Sequence, residues 1–241
     1  MYSSIYENTR RKRKMVVVPF AGGSSQSFSN WKKMLEEDVE INFIDYPGHG
    51  SRIGEKLISD FSELIRDMIR QLTTIADQPV ILFGHSMGGV VSAYVAAECY
   101  RNYGINFKGI ILSSCYSPQK LGEKKHIELS DEQLEHYLIS ERNIPEDIIK
   151  TKEFKRFLFP AIKNDFKVLH GFQYKELQLP PCPIHCIYAG QDYDIGMEAM
   201  NGWQECCSNP IEWHKIKGSH FYFEDYPQDA FEMIRSIVIN L

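Results

Sequence analysis

The chain has 241 residues, 43% hydrophobic and 24% charged, with a formal net charge of −5. That length suits one large α/β domain or two small ones, with the composition of an ordinary soluble globular protein. The negative balance excludes an electrostatic case for nucleic acid or a membrane surface, and no apolar stretch approaches the ~20 residues of a membrane span.

The opening segment, Met1 to Asn8, lacks the apolar core of a secretion signal. The basic run Arg10 to Lys14 reads as a solvated, frayed terminal segment. Strand-like apolar runs follow at Met15 to Pro19, Ile41 to Asp45, Val80 to Phe83, Gly109 to Ser113, Ile184 to Tyr188 and Ile211 to Ile216. Helical segments separate them, which predicts βα units on a mainly parallel sheet. Phe61, Leu64, Ile65, Met68, Ile69 and Leu72 recur at helical spacing, with Asp60 and Glu63 as a capping box at the start. The last helix carries Phe231, Ile234 and Val238 on one face, with Pro227 near its beginning.

The alternation breaks once. Roughly 70 residues separate the fourth and fifth strands, far more than one crossover helix needs. Within them Ser130 and Gln133 form a capping box, a second helical region runs from about Glu146 to Phe159, and a third follows Pro160. That third region carries Ile162, Phe166 and Leu169 at amphipathic spacing. Residues 117–178 are expected to be a helical lid over the catalytic edge of a single domain, 1–241.

The segment Gly84-His85-Ser86-Met87-Gly88 sits between a strand-like and a helix-like run. That is the context of a nucleophile elbow, in which Ser86 projects from a tight turn and side chains at the two glycines would collide with backbone. A serine needs a base, and His220 in the turn Gly218-Ser219-His220-Phe221 supplies it after the last strand. The acid follows the fifth strand, where Asp192 is the first choice and Asp194 the alternative. The oxyanion donors are the backbone N–H groups of Met87 and of the loop Pro19-Phe20-Ala21-Gly22-Gly23-Ser24, with Ala21 first and Gly22 second. His49 comes too early in chain order to be the base and reads as lining its loop, while His85 tucks under the elbow. Six cysteines, Cys99, Cys115, Cys182, Cys186, Cys206 and Cys207, lack the C-x-x-C pairs of zinc sites and read as buried, reduced thiols of a cytosolic protein.

Together these residues resemble the stand-alone type II thioesterases of nonribosomal peptide and polyketide assembly lines. The matching pieces are Pro19 to Gly23, Tyr46-Pro47-Gly48-His49-Gly50, Phe83 to Gly89, Gly218 to Phe221 and the lid segment Phe159 to Asp165. The resemblance runs from about Met15 to the C-terminus. One departure stands out: family members often carry the acid last in a Gly-x-x-Asp turn, but counting from Gly190 lands on Tyr193. If Ala189 takes the glycine's place the acid is Asp192, whereas a one-residue shift favours Asp194.

The resemblance implies an α/β-hydrolase fold and a Ser-His-Asp acyl-enzyme mechanism. It also implies hydrolysis of acyl groups from the phosphopantetheine arm of acyl or peptidyl carrier proteins, by a cytoplasmic, commonly monomeric enzyme. No cofactor or metal is expected. Because carrier proteins are typically acidic, Lys124, Lys125, Lys163 and Lys167 are candidates for docking. The rivals are a medium-chain acyl-carrier-protein thioesterase, a small-molecule esterase, an acyltransferase and, from another class, a non-catalytic binding protein on the same fold.

Overall fold

Six apolar runs form one sheet in the computed structural model, which describes residues 12–123, 130–140 and 144–241. The strands are β1 (Arg13–Val18), β2 (Val39–Phe43), β3 (Val80–His85), β4 (Phe107–Ser113), β5 (Ile184–Ala189) and β6 (Glu212–Ile216). Their ends fall within two residues of the expected positions. The helices are α1 (Ser29–Leu35), α2 (Phe61–Ile75), α3 (Met87–Tyr103), α4 (Pro118–Glu123), α5 (Asp131–Ser140), α6 (Glu146–Ile149), α7 (Phe159–His170), α8 (Met197–Met200), α9 (Tyr222–Asp225) and α10 (Pro227–Asn240). The expected Met1–Asn8 segment and the start of the basic run lie outside the described residues.

All neighbouring strands are parallel, in the order β2-β1-β3-β4-β5-β6. This is the α/β-hydrolase architecture. A parallel sheet must be covered on both faces, so successive side chains along each strand enter different cores. Val16, Val18, Leu82, Ile110 and Leu112 pack with Leu64, Met68 and Leu72 of α2 and Val90 and Val91 of α3. Met15, Val17, Ile81, Phe83 and Ile111 pack on the other side with Leu35 of α1 and Ile234, Ile237 and Val238 of α10. Each such aliphatic side chain, fully buried, contributes about 1.5–3 kcal/mol. The capping residue of α2 is the expected one, since Asp60 Oδ1 accepts the Glu63 N–H at 2.7 Å.

The topology also says where a site belongs. From β1 the chain steps outward to β2, then crosses back past β1 to β3. Connections therefore leave the carboxyl ends of β1 and β3 in opposite directions, opening a crevice there. The loop after β1 and the turn after β3 are the two segments that bear Ala21 and Ser86.

The segment between β4 and β5 is helical, but its breaks differ from those expected. Residues 152–170 form one helical run with a π turn at Phe154–Leu158, so Pro160 interrupts nothing. A proline lacks an N–H and its ring crowds the carbonyl four residues back, here that of Arg156. The widened turn relieves that contact, with the Phe159 N–H reaching Phe154 O, five residues back. The break falls instead at Lys150 and Thr151, where Thr151 Oγ1 accepts the Phe154 N–H at 3.2 Å and caps the run. The Ser130–Gln133 capping box is present, with bonds of 2.9 and 3.2 Å.

The buried stripe of α7 is also rotated from the expected one. Ala161, Ile162, Asp165 and Val168 face inward, whereas Phe166 and Leu169 are half-buried. Both ends of the 117–178 segment belong to the body, because Leu121, Val168, Phe172 and Leu177 join the core under α2 and α3. Its middle has a small core of its own: Leu134, Leu138, Ile149, Phe154, Phe159 and Ile162. No helix among the described residues is long and apolar enough to cross a membrane.

Candidate active site

Ser86 stands alone between β3 and α3 with φ 55° and ψ −122°, a backbone state that costs a non-glycine residue about 1–3 kcal/mol. Its own N–H donates to Ser113 O on β4 at 2.8 Å, and its carbonyl accepts the Gly89 N–H at 3.0 Å. The flanking glycines are required by space. A Cβ on Gly84 would lie 2.1 Å from Gly88 O, and one on Gly88 would lie 2.2 Å from Val18 O. Strand, turn and helix thus touch through bare backbone, which tips the serine outward. Met87 opens α3, so its N–H is among the unpaired donors of a helix N-terminus.

The candidate acid and base come from the far side of the sheet. After β5 the chain turns back at once, with the Asp192 N–H on Ala189 O at 3.3 Å. Ala189 therefore opens the turn that ends on Asp192. Asp192 Oδ1 accepts the N–H groups of Ile195 at 2.9 Å and Asp194 at 3.2 Å. Its Oδ2 then faces His220 Nδ1 at 2.6 Å. Burial pushes this carboxyl up, but the His220 hydrogen bond and the two backbone donors outweigh that and hold it below the usual aspartate range. Asp194 is exposed beside Tyr116, and Tyr193 between the two aspartates is 97% exposed. The structure brings Asp192, and not Asp194, to His220.

His220 sits in the loop between β6 and α9, which is pinned at several points. Gln191 N–H donates to Gly218 O at 2.9 Å, and Ser219 donates through N–H and Oγ to Asp225 Oδ2 at 2.8 and 2.6 Å. Nδ1 faces the Asp192 carboxylate, an orientation that turns the opposite ring nitrogen, Nε2, away from it. The ring leans on that of His85, the residue before Ser86, at a centroid distance of 4.9 Å. His85 is fully buried and bound through Nδ1 to Ser113 Oγ at 2.8 Å, and that hydroxyl also contacts Tyr222 Oη at 2.8 Å. It is the packing and hydrogen-bonding residue that its place under the elbow suggested.

The loop after β1 forms a tight turn, with the Gly23 N–H on Phe20 O at 2.9 Å and Gly22 at φ +73°. A positive φ confined to the third residue marks a type II turn. Tyr46 Oη donates to Pro19 O at 2.8 Å, bracing the loop from beneath. The Gly22 N–H donates to Asp165 Oδ2 at 2.7 Å and so is already engaged. His49 does more than line its loop: its Nε2 lies 3.0 Å from the same Asp165 oxygen, and both side chains are 3% exposed. Asp165 was not singled out in the sequence, although an acidic residue on the buried stripe of α7 is a readable signal.

Lys163 and Lys167 are exposed, with Lys163 bonded to Asp131 Oδ1 at 2.5 Å, whereas Lys124 and Lys125 lie outside the described residues. All six cysteines are free thiols, five of them buried. Among the described residues one group, His185, Glu212 and His214, gathers ligand atoms within 4.8 Å of one another. It lies on β5 and β6, with His185 at the opposite end of β5 from Asp192.

Comparison with known proteins gives a consistent picture. Residues 13–238 match the family model described as the thioesterase domain. The probable anguibactin biosynthesis thioesterase AngT of Vibrio anguillarum is 30% identical over 230 residues, covering 92% of this chain and 90% of that one. The medium-chain S-acyl fatty acid synthase thioesterase of Homo sapiens is 27% identical, covering 100% of this chain and 91% of its own. The solved structure of the type II thioesterase BorB, from the borrelidin biosynthetic cluster, superposes with a TM-score of 0.81 at 26% identity, covering 95% and 94% of the two chains.

Proposed function

Because the chain belongs to the thioesterase domain family, and is therefore a hydrolase acting on thioesters, we propose that it is a stand-alone type II thioesterase. In this reading it removes acyl groups from the phosphopantetheine arm of carrier proteins in a nonribosomal peptide or polyketide pathway. The observation that carries the choice is the similarity to AngT across nine-tenths of both chains. A thin acyl-pantetheine arm also suits a crevice bordered by the helical segment between β4 and β5, with the carrier body left outside.

The chemistry assigned to the site runs in two halves. Ser86 Oγ attacks the thioester carbonyl while His220 Nε2 takes its proton, and Asp192 stabilises the imidazolium. The N–H groups of Ala21 and Met87 receive the developing oxyanion. Ala21 is preferred to Gly22 because the Gly22 N–H is bound to Asp165 and the Gly23 N–H to Phe20 O. The C–S bond then breaks and the pantetheine sulfur leaves with the proton from His220. Water, deprotonated by His220, attacks the acyl–Ser86 ester; the intermediate collapses to the free acid, and Ser86 recovers its proton. Neither half needs a cofactor.

The human fatty acid synthase relative keeps a medium-chain acyl-carrier thioesterase in view as the second reading. A hydrolysis panel separates the two: several acyl groups on one carrier protein, each beside the matching coenzyme A thioester and simple ester. The proposal expects kcat/KM on the carrier to exceed that on coenzyme A at least tenfold, with short and aberrant acyl groups accepted. A sharp optimum at medium chain length supports the second reading. Equal rates on carrier thioesters and simple esters would overturn both.

A further inference from the structure

Asp165 is a carboxylate with almost no solvent, projecting from α7 into the body of the protein. Burying a charge this deeply costs several kcal/mol unless partners repay it. Its Oδ2 has two: the Gly22 N–H at 2.7 Å and His49 Nε2 at 3.0 Å. The other ring nitrogen of His49 faces Pro47 O at 3.1 Å. Nε2 approaches the Asp165 carboxylate without the alignment of a hydrogen bond, so that contact acts through proximity and charge. Asp165 and the more distant Asp45 raise the pKa of His49 against the opposing effect of burial. One carboxylate oxygen thus joins α7, the Pro47–His49 loop and the turn that carries Ala21.

The turn itself explains what that bond controls. In a type II turn the two outer peptides are held by the closing hydrogen bond, here Gly23 N–H to Phe20 O. The Phe20 carbonyl points into the turn, so the Ala21 N–H of the same trans peptide points out of it. The middle peptide, Ala21–Gly22, is the weak part, because rotating it by half a turn converts type II into type I. Asp165 accepts the N–H of that peptide. Rotation would put the Ala21 carbonyl against the carboxylate, a repulsive contact. Ile162, one turn before Asp165, closes the space above: a Cβ on Gly22 would lie 2.3 Å from Ile162 Cγ1.

We infer that Asp165 is a positioning residue for the oxyanion hole: through the Gly22 N–H it ties the whole Phe20–Gly23 turn to α7, so that the Ala21 N–H, fixed within the turn by the closing hydrogen bond, keeps its place relative to Ser86. This rests on the catalytic reading given above. The hole is then complete only while α7 is seated on the body. Further contacts seat it: Asn164 Nδ2 donates to Ile58 O at 2.8 Å, and Val168 is fully buried in the main core. α7 is thereby a fixed wall of the site.

The test compares Asp165→Ala and Asp165→Asn with the wild type, using a small acyl-pantetheine thioester that needs no carrier docking. Asparagine keeps an acceptor oxygen in place; alanine removes it. Asp165→Ala should lower kcat about 10- to 100-fold with KM within about threefold, and weaken an acyl trifluoromethyl ketone, which forms the oxyanion, by a similar factor. A non-reacting thioether analogue should bind Asp165→Ala as it binds the wild type. Asp165→Asn should stay within about fivefold of wild-type kcat. A lower melting temperature with unchanged kcat and ketone affinity in Asp165→Ala would make the residue merely structural and overturn the inference. So would equal losses in the two variants. If Asp165→Ala does not fold, Asp165→Leu, which fills the space without an acceptor, makes the same comparison. Ser86→Ala runs beside them: turnover there would overturn the catalytic reading itself, independently of Asp165.

Discussion

At the residue scale the decisive fact is that one of two neighbouring aspartates is folded inward. Asp192 receives two backbone N–H groups and His220, whereas Asp194 is exposed and has Tyr116, not His220, as its neighbour. Asp192→Asn should therefore reduce kcat by roughly 10²–10⁴-fold and Asp194→Asn by less than about threefold, measured on one thioester under saturating conditions. Equal, mild losses would misplace the acid. The same carboxyl has a stability consequence with a definite sign. Its pKa is held below the usual aspartate range, so its contribution to folding is fully present above that range and is lost as pH falls through the lowered value. Thermal melts of wild type and Asp192→Asn should differ most near neutral pH and converge in acid. A difference that grows in acid would contradict the assignment.

The elements show why some of the site was legible and some was not. The elbow reads directly from sequence because its demand is steric and local: two glycines four residues apart let β3, α3 and the end of β1 meet through backbone. Gly88→Ala brings a methyl against Val18 O and Pro19 O, both main-chain atoms, and should destabilise the protein by about 1–3 kcal/mol in denaturant melts. A loss below about 0.5 kcal/mol would mean the packing is looser than described. The helical insertion was legible as an excess of chain, but not in its detail. Pro160 looks like a helix break, and only the π turn before it, a tertiary accommodation, lets the helix run through. Asp165 was hidden for a related reason, since its partners Gly22 and His49 lie far off in sequence. The insertion should act as a cap hinged above α7. A disulfide tying α5 to α7 should slow turnover of acyl-carrier substrates at least fivefold and leave a small thioester within about twofold; equal slowing of both would contradict a capping role.

For the whole molecule, a parallel sheet with one reversal of winding gathers distant segments at one edge. Ser86 follows β3, Ala21 follows β1, Asp192 follows β5 and His220 follows β6. The chain order of serine, acid and histidine was readable because each lies just past a recognisable apolar run. The choice between Asp192 and Asp194 was not, because it depends on one turn's geometry, closed by the bond from Asp192 N–H to Ala189 O. In the proposed function an acyl group passes from a carrier thioester to Ser86 and then to water. Mixing the protein with an acyl-carrier protein, quenching during turnover and reading the Ser86 peptide by mass spectrometry checks that transfer. The acyl mass should appear on Ser86 with a matching release of free carrier thiol, and neither should appear in Ser86→Ala. Carrier deacylation that persists in Ser86→Ala, or an acyl mass on another residue, would contradict the proposal.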